Sequence, residues 1–92
     1  MASLPDIILS GSAYVSVNLS TGLVTGTPLV IQNKGTDTVR VIISPTQPLA
    51  TDKRGWMLQP GKSVLVENES EEVWARSVDA NQHCPISAQR YN

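Results

Sequence analysis

Along most of this chain apolar and polar residues alternate, and Gly, Pro, Asn or Asp breaks the alternation every several residues. A period of two marks a strand with one buried face, and no window of a dozen residues repeats at the 3.6 of a helix. The pattern predicts a short strand at Ile7–Leu9, ended by Ser10-Gly11-Ser12, and a second at Ala13–Leu19. In the second, Val15, Val17 and Leu19 share one face, with Tyr14, Ser16 and Asn18 on the other. A third strand runs from about Pro28 to Asn33 and a fourth from Thr38 to Ser44, with Val39, Val41 and Ile43 inward and Arg40 outward. Between them, Asn33-Lys34-Gly35-Thr36-Asp37 reads as a hairpin loop in which Gly35 is free to take a positive φ.

From Ser44 to Gly55 the alternation lapses. Pro45 and Pro48 cannot donate to a ladder, and Thr51-Asp52-Lys53-Arg54-Gly55 is polar. Irregular segments of this length in small domains often carry function, so Pro45, Pro48, Asp52, Lys53, Arg54 and Trp56 are the candidate partner contacts. A crossover between two sheets would account for the same loop, and the two readings are compatible. Strands then follow at Trp56–Leu58, at Ser63–Glu67 with Val64 and Val66 inward, at Val73–Val78 and at Pro85–Gln89. Gln59-Pro60-Gly61 is a turn with proline presetting φ. Glu67-Asn68-Glu69-Ser70-Glu71-Glu72 and Asp79-Ala80-Asn81-Gln82 are polar connections. Some seven or eight short strands at this spacing predict a single all-β domain, a small β-sandwich of immunoglobulin-like or jelly-roll-like kind; a small open barrel is the alternative.

Size narrows what such a domain does. With 92 residues the chain buries only about 60–65% of its unfolded surface, so a staple would help it. One cysteine, Cys84, excludes an intrachain disulfide and a zinc site of several thiolates. Assembly, with copies of itself or with a larger partner, is the staple that remains. The net charge of −1 with no basic block gives nucleic-acid binding little to work with. No apolar run approaches the roughly 20 residues of a membrane span. The start, Met1-Ala2-Ser3-Leu4-Pro5-Asp6, lacks the charged and apolar stretches of a signal peptide, so folding in a cytoplasm is expected.

Catalytic and metal chemistry finds little support. His83 and Cys84 are adjacent, but neighbours on a strand point to opposite faces, so a solvated histidine and a buried cysteine are expected. The acidic run lacks the ligand spacing of a calcium loop and reads as a solvated turn. No glycine-rich phosphate loop is present. Neither an enzymatic activity nor a cofactor is predicted. Among the aromatic residues, Trp74 and Arg76 fall on the outer side of their strand if Val73 and Ala75 face the core, and Trp74 could stack with Arg76 or pack under a loop. Exposed tryptophans could instead form a sugar-stacking platform, although closing one end of a small core is their commoner use.

Leu58-Gln59-Pro60-Gly61-Lys62-Ser63-Val64 followed by Glu72-Val73-Trp74-Ala75-Arg76-Ser77 resembles small β-rich virion accessory proteins of tailed bacteriophages. The resemblance covers about the last forty residues and lies in the spacing of strand, Pro-Gly turn and small-residue strand. It implies a non-enzymatic structural protein located in the virion and made in the host cytoplasm. The role expected is decorating or cementing the capsid surface, with the major capsid protein as partner. The alternative is a tail or fibre component, or a small adhesion module in which Trp56, Trp74 or Tyr14 stacks on glycan.

Overall fold

A computed structural model describes residues 6–11, 13–49, 52, 54–66, 71–78 and 83–90. Its strands are β1 (Ile7–Ser10), β2 (Val15–Ser16), β3 (Leu29–Asn33), β4 (Val39–Ser44), β5 (Trp56–Leu58), β6 (Ser63–Val66), β7 (Glu72–Ser77) and β8 (His83–Arg90). A single helical turn, α1 (Val17–Thr21), follows β2. β1 pairs with β8, β2 with β7, β3 with β6 and β4 with β5, all antiparallel. Contacts of β8 with β3 and of β7 with β4 join these pairs into two sheets, β1-β8-β3-β6 and β2-β7-β4-β5. Nested pairing of this kind is one long hairpin rolled upon itself, the wiring of an eight-stranded jelly roll. The immunoglobulin-like order does not occur, since its sheets divide the strands differently. Nor is there a barrel, because each sheet keeps two edges.

The alternation read from the sequence explains the core. Ile7 and Leu9, Cys84, Ile86 and Ala88, Leu29 and Ile31, and Val66 point inward from the first sheet. Val39 and Val41, Leu58, Val73 and Ala75 meet them from the second. Most of these are wholly inaccessible to solvent, and burying each large one contributes about 1.5–3 kcal/mol. Val15, Ile43, Val64 and Trp56 pack against this layer from its margins.

Three local expectations are corrected. Ala13–Leu19 is not one strand. Ser16 caps a helical turn, its hydroxyl accepting from the Leu19 N–H, and Gly22 closes the turn at φ 77° with its N–H on the Asn18 carbonyl. Leu19 therefore sits in solvent rather than beside Val17. The Asn33–Asp37 segment is not a hairpin either, since β3 and β4 belong to different sheets and the loop passes between them. The long loop is the reverse case: β4 and β5 pair in one sheet, so 45–55 is an overgrown hairpin connection and not a crossover. Every other connection between strands passes from one sheet to the other.

Gly35 also serves a different purpose from the one expected. It does not take a positive φ. It is required for closeness: a Cβ there would collide with the Cys84 sulfur and lie 3.0 Å from the Pro85 ring. Close passage lets the crossover lie flat against β8, with the Lys34 N–H donating to the Pro85 carbonyl at 3.0 Å.

The crossover is organised by Asn33, a fully buried amide at an inward position of β3. Its Nδ2 donates to the carbonyls of Asp37 (2.7 Å) and Leu58 (2.9 Å). Its Oδ1 accepts from the Gly35 N–H (2.9 Å) and the Cys84 thiol (3.2 Å). The side chain thus uses both donor protons and both acceptor lone pairs. Its main chain is also engaged, donating to Lys62 and accepting from Gly61 across the Pro-Gly turn. Ser77 extends the cluster, its hydroxyl donating to the Asp37 carboxylate at 2.7 Å. One polar residue therefore ties β3, the crossover, the end of β5 and β8 together at one end of the sandwich.

Candidate functional site

The two outer faces of the sandwich differ in kind, and the difference locates the candidate surface. On the β2-β7-β4-β5 sheet, alternation turns Ile42, Trp74 and Arg76 away from the core. Ile42 and Arg76 are nevertheless buried, at 4% and 8% exposure, and Tyr14 beside them is at 2%. A second layer covers part of this face, leaving Met57 on β5 exposed. The Tyr14 hydroxyl donates to the Asp52 carbonyl at 2.6 Å, and Gln47 Nε2 donates to the Tyr14 carbonyl at 2.8 Å. Pro48 is buried in the same loop. The long loop is thus folded back over the sheet and fastened to the segment that precedes β2.

Arg76 lies within this layer. Its guanidinium carbon is 5.2 Å from the centre of the Tyr14 ring, a cation–π distance. Nη1 donates to the carbonyls of Gly11 (3.1 Å) and Ser77 (3.2 Å). Trp74 is half-buried on the same face, its indole N–H donating to the Ser44 carbonyl at 3.0 Å. Of the two alternatives for Trp74, the stack with Arg76 does not form: Arg76 lies over Tyr14, and Trp74 is bonded to Ser44 at the start of the long loop.

The predicted contact residues do not form one surface. Pro45 is exposed, while Pro48 is buried against the sheet. Asp52 and Arg54 are ion-paired, with Arg54 Nη2 and Nε at 2.6 and 3.0 Å from the carboxylate. The Arg54 side chain, with its backbone N–H second, holds the Asp52 carboxyl at about 2, below the usual carboxylate range. Trp56 pairs with Val41 on the inward side of β5 and is half-buried against the core. Lys53 lies outside the described residues, as do Tyr91 and the side chain of His83. Cys84 is buried, as expected of it. Among the described residues, no three His, Cys, Asp or Glu side chains gather at metal-binding distance.

The outer face of the other sheet has a different composition. β1, β8, β3 and β6 direct Ile8, Pro85, Val30 and Leu65 outward, interspersed with Ser10, Ser87, Gln89, Gln32 and Ser63. None of these carries a charge. Ile8 and Leu65, on the two edge strands, are 60% and 42% exposed. Among the described residues, the Asp6–Lys34 pair, 2.9 Å apart, stands across β8 at the level of Pro85 and Ile86, with Lys62 before β6 and Arg90 at the last residue of β8. A face whose strand positions are uncharged, and whose ion pair is already partnered, could be covered by a protein with little unpaired charge to bury. Ile8 and Leu65 were each legible as outward positions of their strands. That four strands would bring all the uncharged positions onto one face required the strand order.

Comparison with known proteins finds no matching family model, no matching curated protein and no matching solved structure.

Proposed function

We propose that this chain is a non-enzymatic structural protein of a phage particle that decorates or cements the capsid surface. The observation that carries this reading is the outer face of the β1-β8-β3-β6 sheet, uncharged at its strand positions and crossed by the partnered Asp6–Lys34 pair, beside a second face partly covered by the chain's own loop. The resemblance at Leu58–Val64 and Glu72–Ser77 supplies the context of a virion. Jelly rolls also occur in viral coats, but equally in lectins and cupins, so the wiring adds an analogy of fold only.

The mechanism is linkage. A protein that binds only the assembled shell stabilises it by RT ln(1 + [L]/Kd), about 2.7 kcal/mol per site at a hundred times Kd. The sheet face would lie on the major capsid protein, with Ile8, Val30 and Leu65 removed from water. The alternative of a glycan-stacking module draws less support, since Tyr14 is buried and both tryptophans are half-buried, Trp56 packed against the core and Trp74 bonded to the Ser44 carbonyl.

Co-sedimentation of the purified protein with capsids that lack it tests the reading. Saturable binding at a fixed ratio to the shell subunit is expected, lost in an Ile8→Lys/Leu65→Lys double variant that melts like the parent. Absence of binding by the parent protein, or its recovery on isolated tails, would overturn the capsid role.

A further inference from the structure

A groove opens where α1, the segment after it and the start of β7 meet, with a volume of about 380 Å³. Its walls are Leu19, Leu23 and Val24, and Glu72 is the charged residue in its lining. Leu19 and Val24 are 82% and 74% exposed, among the most exposed large apolar side chains described. The helical turn causes this exposure: Ser16 and Gly22 wind 17–21 into a helix that turns Leu19 outward.

Glu72 gives the groove its sign. One carboxylate oxygen, Oε2, accepts from the Ser16 hydroxyl. The other takes no hydrogen bond among the described residues. A half-buried carboxylate with a spare acceptor, walled by leucine and valine, is complementary to a cation carried on an apolar stem. Lys and Arg have that form, and a neighbouring aliphatic residue would cover Leu19 and Val24.

We propose that this groove docks a segment of a partner protein that places a Lys or Arg beside an aliphatic residue, the cation on Glu72 and the aliphatic group between Leu19 and Val24. It is a separate surface from the uncharged sheet face. Under the capsid reading, on which this extension rests, two surfaces are what a cement needs to bridge neighbouring subunits.

Selection of a random displayed-peptide library on the immobilised domain tests the groove independently of any shell. The expected result is enrichment of sequences with Arg or Lys next to Leu, Ile or Val. Their affinity should fall at least tenfold on a Leu19→Lys/Val24→Lys variant and severalfold on Glu72→Gln, which keeps an acceptor for Ser16. Glu72→Gln should also flatten the salt dependence of binding. No enrichment, or peptides that bind parent and variants alike, would overturn the proposal. Running the Leu19→Lys/Val24→Lys variant in the capsid assay separates the two claims: failure of the parent to bind sinks the capsid reading, whereas undiminished binding of this variant sinks the groove as a shell contact.

Discussion

Replacing Asn33 with alanine removes the four side-chain hydrogen bonds that hold the crossover. Two main-chain groups are orphaned, the Leu58 carbonyl and the Gly35 N–H, while the Asp37 carbonyl still accepts from the Cys84 thiol at 3.5 Å. A buried polar group left unsatisfied costs about 1–3 kcal/mol, and the thiol less. Water can reach Gly35, which is half-buried, so the low end applies to it, and with the Leu58 carbonyl a loss of roughly 2–4 kcal/mol is expected. A 92-residue domain has a total stability of roughly 5–14 kcal/mol, so the variant would sit close to unfolding. Urea titration followed by fluorescence of Trp56 and Trp74, both half-buried, measures the change. At a slope of about 1 kcal/mol per molar, the midpoint should fall by about 3 M. Asn33→Asp should be no better, because it sets a carboxylate against the Asp37 and Leu58 carbonyls. A midpoint within about 0.5 M of the parent for the alanine variant would show that the amide is not what fastens the two sheets.

Three further outcomes follow from contacts described above. Gly35→Ala drives a methyl into the Cys84 sulfur and should cost about 1–3 kcal/mol in thermal unfolding. In a double-mutant cycle Cys84→Ala should recover part of that cost, and strict additivity would exclude the clash as its source. Tyr14→Phe deletes the bond to the Asp52 carbonyl, costing about 0.5–1.5 kcal/mol, and should speed tryptic cleavage after Arg54; an unchanged rate would mean that the loop is held elsewhere. The Asp52 carboxyl should titrate near 2 by NMR, against about 3.9 when unfolded. Because its folded pKa is the lower, its contribution to stability is present above about 4 and is lost as pH falls through about 2, and Asp52→Asn should remove that acid limb.

Strand positions were legible in the sequence because period-two alternation reports a buried face directly, and β3, β4, β6 and β7 fall where it puts them to within a residue or two. Partnership was not, because alternation is blind to which sheet a strand joins. Asn33–Asp37 has the composition of a hairpin turn, yet its few residues span the roughly 10 Å between sheets. The twelve residues from Ser44 to Gly55 looked long enough to cross and instead connect two strands of one sheet, with Gln47 and Asp52 bonded to Tyr14. One clue to that covering layer was present: Ile42 is apolar but out of phase with Val39, Val41 and Ile43, so it needed a second surface to bury against. The helical turn also left a trace in the Ser16 and Gly22 caps, but five residues are too few to show a period. The groove depends on that turn, and the uncharged sheet face depends on the strand order, so neither was visible beforehand.

The nesting of the strand pairs has a consequence for how the molecule comes into being on the ribosome. In both sheets the strand that joins the earlier ones is made late: β7 lies between β2 and β4, and β8 lies between β1 and β3. Until β7 and β8 have emerged, β1 and β2 have no neighbour at all, and only the β4–β5 and β3–β6 pairs can form. Folding therefore waits for β7 and β8, and the nascent chain carries unpaired apolar strands until they emerge. A chain truncated before β8 would be left with β1 and β3 separated by a gap one strand wide, which is a template for a strand from another molecule.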